Sequence, residues 1–471
     1  MIDILLTGAV IGSTFFTLFL LTLPSQYDPA VEKHNVASNE RKEDEQSNNK
    51  LKARVQILVL GDIGQSPRMQ YHALSIAKNG GFAEIIGYRE SDPHPGLLTN
   101  SSIAITPIPP PPRRFQTSNK LLFLLFAPLK VIWQICYLWF ILGYRTKPAK
   151  WLLLQNPPSL PTLAIAKAMC FLRNTKLIID WHNFGYSILS LKLGPAHPLV
   201  KISKIYEFFF GRNATAHLTV TKALSDVLTQ DHGVTSPVLV LHDRPAGHFQ
   251  PLSVNRRSTV LSSLGVTAPY ADSIRNGATK LIISSTSWTP DEDFSLLLDA
   301  LVDYAARSTT RATKLPNILA VITGKGPQKE YYLSRIDTLK REGKLLNVTI
   351  LTAWLTIEDY ASLLAAADLG VSLHTSSSGV DLPMKVLDMF GAGLPVVGWD
   401  KFEAWPELVH DGINGKGFRS VGQLTDLFVT LLGADGTQLS ILKDGALREG
   451  HRRWDDEWNP IAGRLLDLYT D

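Results

Sequence analysis

Cysteine is almost absent from this sequence: 471 residues include only two cysteines, Cys136 and Cys170. Both stand in apolar stretches, which excludes a disulfide scaffold and favours a reducing compartment. A strong charge of one sign is also lacking, because the formal net charge is only +4. This charge gives no reason to expect a nucleic-acid partner. The chain is 45% hydrophobic, and its length predicts two or three domains of roughly 150 residues each.

Charge is missing altogether from residues 4–23, an apolar segment of 20 residues. That length is enough to cross a bilayer. A cleaved signal peptide is the alternative, but no basic residue precedes the segment, and Leu23-Pro24 is a poor cleavage site. Basic residues follow it, so the positive-inside bias places the bulk of the chain in the cytosol. We therefore predict a transmembrane signal anchor at 1–24 and a flexible, polar tether at 25–52.

A second apolar segment covers residues 120–145, with basic residues at both ends. Its tryptophans and tyrosines favour a hairpin or helix lying in the membrane interface. A second membrane span is less compatible with Pro128 and Lys130 inside the segment. A helix buried within the domain is the remaining alternative.

Strands and helices alternate over the rest of the chain, which predicts an α/β fold with parallel sheets. The sequence becomes polar and irregular near residues 242–277, and a second α/β series starts at Lys280. We predict an N-terminal Rossmann-like domain at 53–250, a C-terminal one at 251–437, and terminal helices at 438–471 that pack back across both. In such sheets the ligand site is expected in the cleft beyond the carboxyl ends of the strands.

Residues 369–400 contain the clearest candidate site, a strand, a polar loop, a short helix from Pro383 and another strand. This arrangement points backbone N–H groups at the space above the loop, where a phosphate can bind. Asp381, Lys385 and Asp388 are spaced so that they share one helix face. A surface ladder of ion pairs is the alternative interpretation.

Six strings, read in order, resemble one family of glycosyltransferases. They are GDIGQSPRMQYHALS (61–75), LLLQNPPSLPTL (152–163), LIIDWHNFGYSILSL (177–191), VLHDRP (240–245), SSTSWTPDEDFSLLLDAL (284–301) and SSSGVDLPMKVLDMFGAGLPV (376–396). The family is that of the chitobiosyldiphosphodolichol β-mannosyltransferases, and the match covers nearly the whole chain from residue 55.

The resemblance implies a GT-B fold, in which two Rossmann-like domains face a cleft. It also implies a GDP-mannose donor, a GlcNAc₂-diphosphodolichol acceptor and inversion at the anomeric carbon. A single-pass anchor in the endoplasmic reticulum membrane, with the catalytic domains in the cytosol, fits this function. A complex with other dolichol-pathway mannosyltransferases is a further expectation.

Glycine turns and one serine are candidates for donor binding. Gly61 and Gly64 follow the first strand and allow close approach of the backbone to a diphosphate or the transferred sugar, although a tight turn explains them equally. Gly324 and Lys325 form a second glycine turn, in which the lysine can neutralise a leaving diphosphate. Ser287 follows a strand end and can donate a hydrogen bond to phosphate.

The remaining donor candidates come from residues 369–400. His374 ends the first apolar run of this stretch. The resemblance implies that Asp388 contacts the nucleotide ribose and that Lys385 faces the diphosphate. Asp381 is a candidate for sugar contact, but it stands one residue out of register with the acid pair that many GT-B enzymes use.

Inversion by a single displacement requires a base that removes the proton of the attacking hydroxyl. The candidates in the N-terminal domain are His182, Asp62 and Asp180, and the sequence does not choose among them.

Asp291-Glu292-Asp293 matches the DxD pattern that holds a metal in another glycosyltransferase architecture. Its position after Thr289-Pro290 favours helix capping instead. We therefore predict neither a required metal nor a tightly bound cofactor. Two other functions stay open: a GT-B transferase that uses another sugar nucleotide on a lipid acceptor, and a non-catalytic GT-B scaffold that recruits partner transferases.

Overall fold

The computed structural model describes residues 13–14, 17, 22–30, 53–112, 120–290, 292–310, 315–433 and 435–470. The predicted anchor (1–24) and tether (25–52) lie largely outside these residues, as does Asp291. The chain divides into two compact units. Unit 1 comprises residues 1–219, 227–239 and 458–471, and unit 2 comprises 220–226 and 240–457.

Unit 1 is built around a seven-stranded sheet with the order β3-β2-β1-β4-β5-β6-β7. Each neighbouring pair from β3 through β6 is parallel. The strands are β1 (Arg54–Asp62), β2 (Phe82–Tyr88), β3 (Ile103–Pro107), β4 (Trp151–Asn156), β5 (Lys176–Trp181), β6 (Ala216–Thr219) and β7 (Val238–Val240). The helices are α1 (Pro67–Lys78), α2 (Pro95–Thr99), α3 (Lys120–Phe140), α4 (Thr162–Leu172), α5 (Gly185–Leu193), α6 (Pro198–Gly211) and α7 (Lys222–Gln230).

The central strands of unit 1 are buried apolar runs, as expected for a parallel sheet covered by helices. Ile57, Leu58 and Leu154 have no exposed surface. Asp62 ends β1, Asn156 ends β4, and Asp180 lies one residue before the end of β5. The carboxyl ends of three adjacent strands therefore carry polar side chains at one edge of the sheet.

Unit 2 contains a six-stranded sheet with the order β10-β9-β8-β11-β12-β13, and all its neighbouring pairs are parallel. The strands are β8 (Thr279–Ser285), β9 (Asn317–Thr323), β10 (Val348–Ala353), β11 (Leu369–Ser372), β12 (Val396–Trp399) and β13 (Gly415–Phe418). The helices are α8 (Val254–Ser263), α9 (Ala271–Arg275), α10 (Phe294–Thr310), α11 (Lys329–Arg341), α12 (Ile357–Ala366), α13 (Met384–Gly391), α14 (Trp405–Leu408), α15 (Val421–Leu432), α16 (Thr437–Gly450) and α17 (Trp454–Trp458). The core includes the buried rings of Trp288, Phe294 and Phe428.

The predicted α/β class with two parallel sheets is confirmed. Helix α1 begins at Pro67 and α13 begins just after Pro383, so both predicted helix starts are found. Proline is favoured there because the first helical N–H has no partner within the helix.

The apolar segment at 120–145 is one continuous helix, α3, followed by a π-helical turn at Ile141–Arg145. Leu138, Ile141 and Leu142 are buried, whereas Ile132 and Phe140 are more than half exposed. Within the described part of the chain, 126–145 is the one helical stretch long and apolar enough to cross a membrane. The hairpin alternative is therefore wrong. Whether the helix contacts lipid stays a prediction.

Candidate active site

A buried carboxylate, Asp180, organises the first cluster of the site. Asp180 has no exposed surface, and its two oxygens accept bonds from Arg68 Nε (2.8 Å) and Nη2 (2.9 Å). The Nε2 atoms of His72 and His182 lie 3.2 Å and 3.0 Å from Asp180 Oδ2. Burial alone would raise the pKa of Asp180, but Arg68, His182 and His72 together outweigh it, and the pKa lies well below its ordinary value. Asp180 is therefore a permanent carboxylate near neutral pH.

The hydrogen bonds of this cluster determine which nitrogen of each histidine carries a proton. Trp458 Nε1, which can only donate, lies 2.9 Å from His72 Nδ1. His72 is fully buried, and burial lowers its pKa, so it is neutral and protonated on Nε2, which donates to Asp180. Because a carboxylate only accepts, Nε2 of His182 also donates to Asp180. Neutral His182 then holds its basic lone pair on Nδ1.

His182 is the base candidate that the geometry favours. It lies just beyond the end of β5, and its side chain is 25% exposed, whereas Asp180 is 0% exposed. Asp180 is thus wrong as the group that touches substrate, since it orients the histidine instead. A histidine held by a buried carboxylate is a common arrangement for a general base.

Asp62 is a poor candidate for the base. Its Oδ1 accepts hydrogen bonds from the backbone N–H of Glu90 (3.0 Å) and Ser91 (3.2 Å), and its Oδ2 accepts from the Ser91 hydroxyl. Although burial raises the pKa of Asp62, these bonds lower it overall. The carboxylate therefore anchors the loop that contains Ser91.

Gly61 and Gly64, which lie near Asp62, differ in whether packing requires glycine. A Cβ on Gly64 would lie 2.5 Å from Ser91 Oγ and within 3 Å of two backbone oxygens, so packing against that loop demands glycine. A Cβ on Gly61 would meet nothing closer than 3.7 Å. Packing thus explains Gly64 without a ligand, and Gly61 stays a prediction.

The second cluster, in unit 2, joins the loop after β8 to helix α13 through Glu292 and Lys385. Glu292 is 5% exposed. One of its oxygens pairs with Lys385 Nζ, and the other accepts from the hydroxyls of Thr286 (3.0 Å) and Ser287 (2.8 Å). Burial raises the pKa of Glu292, but Lys385 and Ser287 outweigh it, so the pKa is lowered.

Glu292 thus holds Lys385 in place beside the first turn of α13. That turn has Pro383 at its N-cap position and no side-chain cap, which leaves it suited to an anion. The expectation of helix capping is met by Asp293, whose Oδ1 accepts from Ser295 N at 3.0 Å. It is wrong for Glu292. Ser287 supports Glu292 in this structure and its hydroxyl already has partners.

The prediction that Asp381, Lys385 and Asp388 share one helix face is wrong for Asp381, because α13 begins after it. Asp381 lies in the loop instead, where it contacts His374 Nε2 at 3.3 Å and accepts from the Ser376 hydroxyl. Burial raises the pKa of Asp381, but His374 and Ser376 outweigh it and lower the pKa overall. His374 and Asp381 are therefore brought together as a pair that shapes the loop.

Asp388 lies on α13, three residues after Lys385, and is half-buried. Burial raises its pKa to about 7, although the positive charge of Lys385 opposes this shift. The nearby Tyr360 hydroxyl has a raised pKa from burial and from the charge of Asp388. It lies 2.8 Å from Ser285 Oγ, at the carboxyl end of β8. A carboxyl group whose pKa is raised in this way is often found at a functional site.

The second glycine turn packs directly on the loop after β8. Gly324 has φ +123°, and a Cβ there would lie 1.9 Å from the Thr286 carbonyl oxygen. Side chains would push these two loops apart, so glycine is required here. Lys325 does not reach toward Glu292 or Lys385. Its Nζ lies 3.8 Å from the ring centroid of Trp354, which follows β10 and is 64% exposed.

Four residues of these clusters were missed by sequence reasoning: Arg68, His72, Glu292 and Trp354. For Glu292 the signal was present, because an acid two residues after Pro290 was attributed to helix capping. Within the residues that the structure describes, no group of three or more His, Cys, Asp or Glu side chains could hold a metal.

The chain is similar in sequence to a family of glycosyltransferases. Residues 279–433 match the family model "Glycosyl transferases group 1". The chain is 55% identical over 384 residues to the chitobiosyldiphosphodolichol beta-mannosyltransferase of Arthroderma benhamiae, covering 81% of this chain and 86% of that protein. It is 39% identical over 446 residues to the mouse protein of the same name, covering 87% and 88%.

Solved structures share the fold at low identity. The structure of Anabaena Alr3699/HepE in complex with UDP and glucose superposes with a TM-score of 0.56 and 16% identity, covering 86% of this chain and 96% of that chain. The likeness supports the GT-B architecture of two parallel sheets.

Proposed function

The chain belongs to the chitobiosyldiphosphodolichol beta-mannosyltransferases, and from this premise we propose how it carries out the reaction. It is a glycosyltransferase of the dolichol pathway. We propose that it moves mannose from GDP-mannose to GlcNAc₂-diphosphodolichol with inversion. The observation that carries the assignment is the 55% identity to a curated relative over 81% of the chain.

The donor diphosphate binds, in this proposal, at the first turn of α13. Lys385 neutralises the charge that builds on the diphosphate as the nucleotide leaves, and backbone N–H groups of the helix start add to this. Glu292 keeps Lys385 oriented, so that little reorganisation is needed during the reaction. The ribose lies next along the carboxyl edge of the sheet. Asp388 accepts a hydrogen bond from it, and the Tyr360 hydroxyl donates one to it.

The nucleobase stacks on Trp354. Trp354 follows β10, and the loop that contains Glu292 follows β8, so two strand spacings of about 5 Å each separate them. A nucleotide that lies along the carboxyl edge of the sheet bridges this distance. Exposed tryptophan provides a stacking platform for bases, and Lys325 places a cation over one face of the ring.

His182 serves as the general base on the acceptor. Its Nδ1 removes the proton from the attacking GlcNAc hydroxyl while the oxygen bonds to the anomeric carbon and the bond to the diphosphate breaks. The imidazolium that forms is stabilised by Asp180, which stays charged.

We also propose a location at the endoplasmic reticulum membrane, with residues 1–24 as anchor and both units in the cytosol. The dolichol chain of the acceptor cannot leave the bilayer, so the enzyme must work at its surface. The length and lack of charge of residues 4–23 support this proposal.

A transfer assay tests the function directly. Purified enzyme is given GDP-mannose, or another sugar nucleotide, together with a short-chain GlcNAc₂-diphospho-lipid. We expect one mannose to be added from GDP-mannose alone. Transfer from a uridine-linked sugar at the same rate would contradict the donor assignment.

A further inference from the structure

Helices α5 and α6 form a hairpin on unit 1 that exposes an unusual amount of apolar surface. The exposed side chains are Ile188, Leu191, Leu193, Leu199, Ile202, Ile205 and Phe209, which we call the apolar surface. Their exposed fractions lie between 39% and 68%. Single exposed apolar residues are ordinary, but a contiguous group marks a binding surface.

The arrangement along α6 shows that this surface is one face of the helix. Leu199, Ile202, Ile205 and Phe209 recur at intervals of three or four residues, which places them on one side. The opposite side carries Val200, Glu207 and Gly211, all buried against unit 1. One side of the helix is thus buried against unit 1, and the opposite, apolar side is exposed among the residues that the structure describes.

The exposed charged side chains that the hairpin itself carries are all of one sign, and Asp231, within electrostatic reach of Tyr186 on α5, is an exposed acid nearby. Residues 157–212 contain only two acids, Asp180 and Glu207, and both are fully buried. The exposed charges on the hairpin and at its end are cationic: Lys192, Lys201, Lys204 and Arg212. A protein partner would need to be acidic and apolar at once, whereas an anionic lipid bilayer presents both properties over a wide area.

We propose that the apolar surface docks on the anionic face of a lipid bilayer, with its lysines among the headgroups. Each cation near such a surface adds about fivefold to the affinity, the factor that corresponds to about 1 kcal/mol. Helix α4 contacts both α6 and α3. The docking surface therefore adjoins the helix that the sequence predicts to be membrane-associated.

This docking would hold the general base, His182, at the bilayer. This part of the inference rests on the proposed function. Helix α5 starts at Gly185, three residues after His182. Glu207, on the buried side of α6, accepts bonds from Gly185 N (3.0 Å), Asn156 Nδ2 (2.7 Å) and Ser159 Oγ (2.7 Å). The carboxylate ties the docking helix to the loop of His182, so a lipid-anchored acceptor meets the base without leaving the membrane surface.

Site-specific fluorescence tests the docking independently of activity. Ile205→Cys is placed in the full chain with Cys136 and Cys170 replaced by alanine, labelled with an environment-sensitive dye, and reconstituted into vesicles of known composition. We expect a blue shift, and quenching by nitroxide-labelled lipid, in vesicles with anionic lipid. Ile441→Cys, at a site 52% exposed in unit 2, is the matched control and should show neither. Equal signals at both positions would overturn the proposal.

Enzyme kinetics test what the docking does. Ile202→Glu with Ile205→Glu should raise the KM for an acceptor embedded in anionic vesicles about tenfold or more, with kcat for a short-chain acceptor in solution unchanged. Lys201→Gln with Lys204→Gln should remove the preference for anionic over neutral lipid. Ile441→Glu is the control for an added surface charge.

The outcomes separate the proposals. If the wild-type chain transfers no mannose but the label at residue 205 still enters the lipid, the proposed function fails and the docking stands. If transfer occurs but the double glutamate variant has an unchanged KM and the label is not quenched, the docking proposal is wrong.

Discussion

Two aspartates, one fully buried in unit 1 and one half-buried in unit 2, have opposite acid–base behaviour. Asp180 is surrounded by Arg68, His72 and His182, and its pKa lies well below the ordinary value. Asp388 has only the charge of Lys385 to oppose burial, and its pKa rises to about 7. Loss of solvation raises the pKa at both sites. The difference comes from the partners, because a bidentate guanidinium and two histidines together outweigh the lost solvation of Asp180, whereas the charge of Lys385 alone does not do so for Asp388.

The opposite shifts imply opposite effects of pH on folding stability. The pKa of Asp180 is lower in the folded than in the unfolded chain, so its stabilising contribution is present above about pH 4 and is lost as pH falls further. The pKa of Asp388 is higher in the folded chain. Between about pH 4 and its folded pKa, the folded chain retains a proton that the unfolded chain has released, so stability falls as pH rises through this window.

Asp180 and Asp388 are suited to distinct roles. A carboxylate that is always charged can orient His182 at any physiological pH. A carboxyl group that titrates near neutrality can change its hydrogen bonding when the donor binds. Environments that push two acids apart in pKa are a recurring way to divide work in active sites.

The largest effect is expected at the base. His182→Ala should reduce kcat by about 10²–10⁴-fold, the usual contribution of a general base, and leave GDP binding unchanged. Turnover with the short-chain acceptor and calorimetric titration with GDP measure the two quantities. His451→Ala, at an exposed histidine in unit 2, is the control. Full activity of the His182 variant would return Asp62 to consideration.

Removing the permanent negative charge of Asp180 should lower both the folding stability and the activity. Asp180→Asn leaves Arg68 buried without its anion, which should lower the free energy of unfolding by about 3–5 kcal/mol. Denaturation by urea at pH 7 measures this loss. Asp226→Asn removes an exposed partner of Lys222 and should cost at most about 1 kcal/mol. Equal losses in the two variants would show that the Asp180 cluster is not a strong ion pair.

Two single substitutions test the roles of Lys385 and Glu292 in donor binding separately. Lys385→Ala should lower kcat by about 10²-fold, because it removes the cation that faces the diphosphate. Glu292→Gln should lower kcat less, since the lysine remains but loses its orienting partner. Rates across a series of GDP-mannose concentrations separate kcat from KM. If Glu292→Gln is as active as wild type, Glu292 does not position Lys385.

Trp354 offers a test confined to nucleotide binding. Trp354→Ala should weaken GDP binding about 5- to 150-fold, the factor that corresponds to about 1–3 kcal/mol of stacking. Tyr331→Ala is a matched control, because Tyr331 is also an aromatic residue with 64% of its surface exposed. Titration calorimetry measures both variants. Equal, small changes in GDP affinity in the two variants would show that the nucleobase does not stack on Trp354.

The smallest effect concerns the pH dependence of Asp388. Asp388→Asn cannot lose a proton, so it should stabilise the ligand-free enzyme relative to wild type above pH 7 and have a smaller effect near pH 5, closer to the start of this window. Thermal unfolding at both pH values measures the difference. A stabilisation of equal size at both pH values would show that the pKa of Asp388 is not raised.

Much of the fold could be predicted from local patterns. The buried strands are continuous apolar runs, and the starts of α1 and α13 follow from Ser66-Pro67 and Pro383. These signals are local because strand and helix preferences arise from neighbouring residues. The order of motifs further indicated the family, and His182, Lys385 and Asp388 were identified as candidates on that basis.

The partners of those candidates were decided by tertiary structure. Arg68 and Asp180 are 112 residues apart in sequence, Glu292 and Lys385 are 93 apart, and His72 and Trp458 are 386 apart. Local spacing placed Lys385 beside Asp381, but folding pairs it with Glu292. Protonation states depend on burial and on such distant partners. The sequence by itself therefore determined the fold class and nominated the site residues, whereas only the three-dimensional arrangement decided which acid is charged and which nitrogen of His182 is basic.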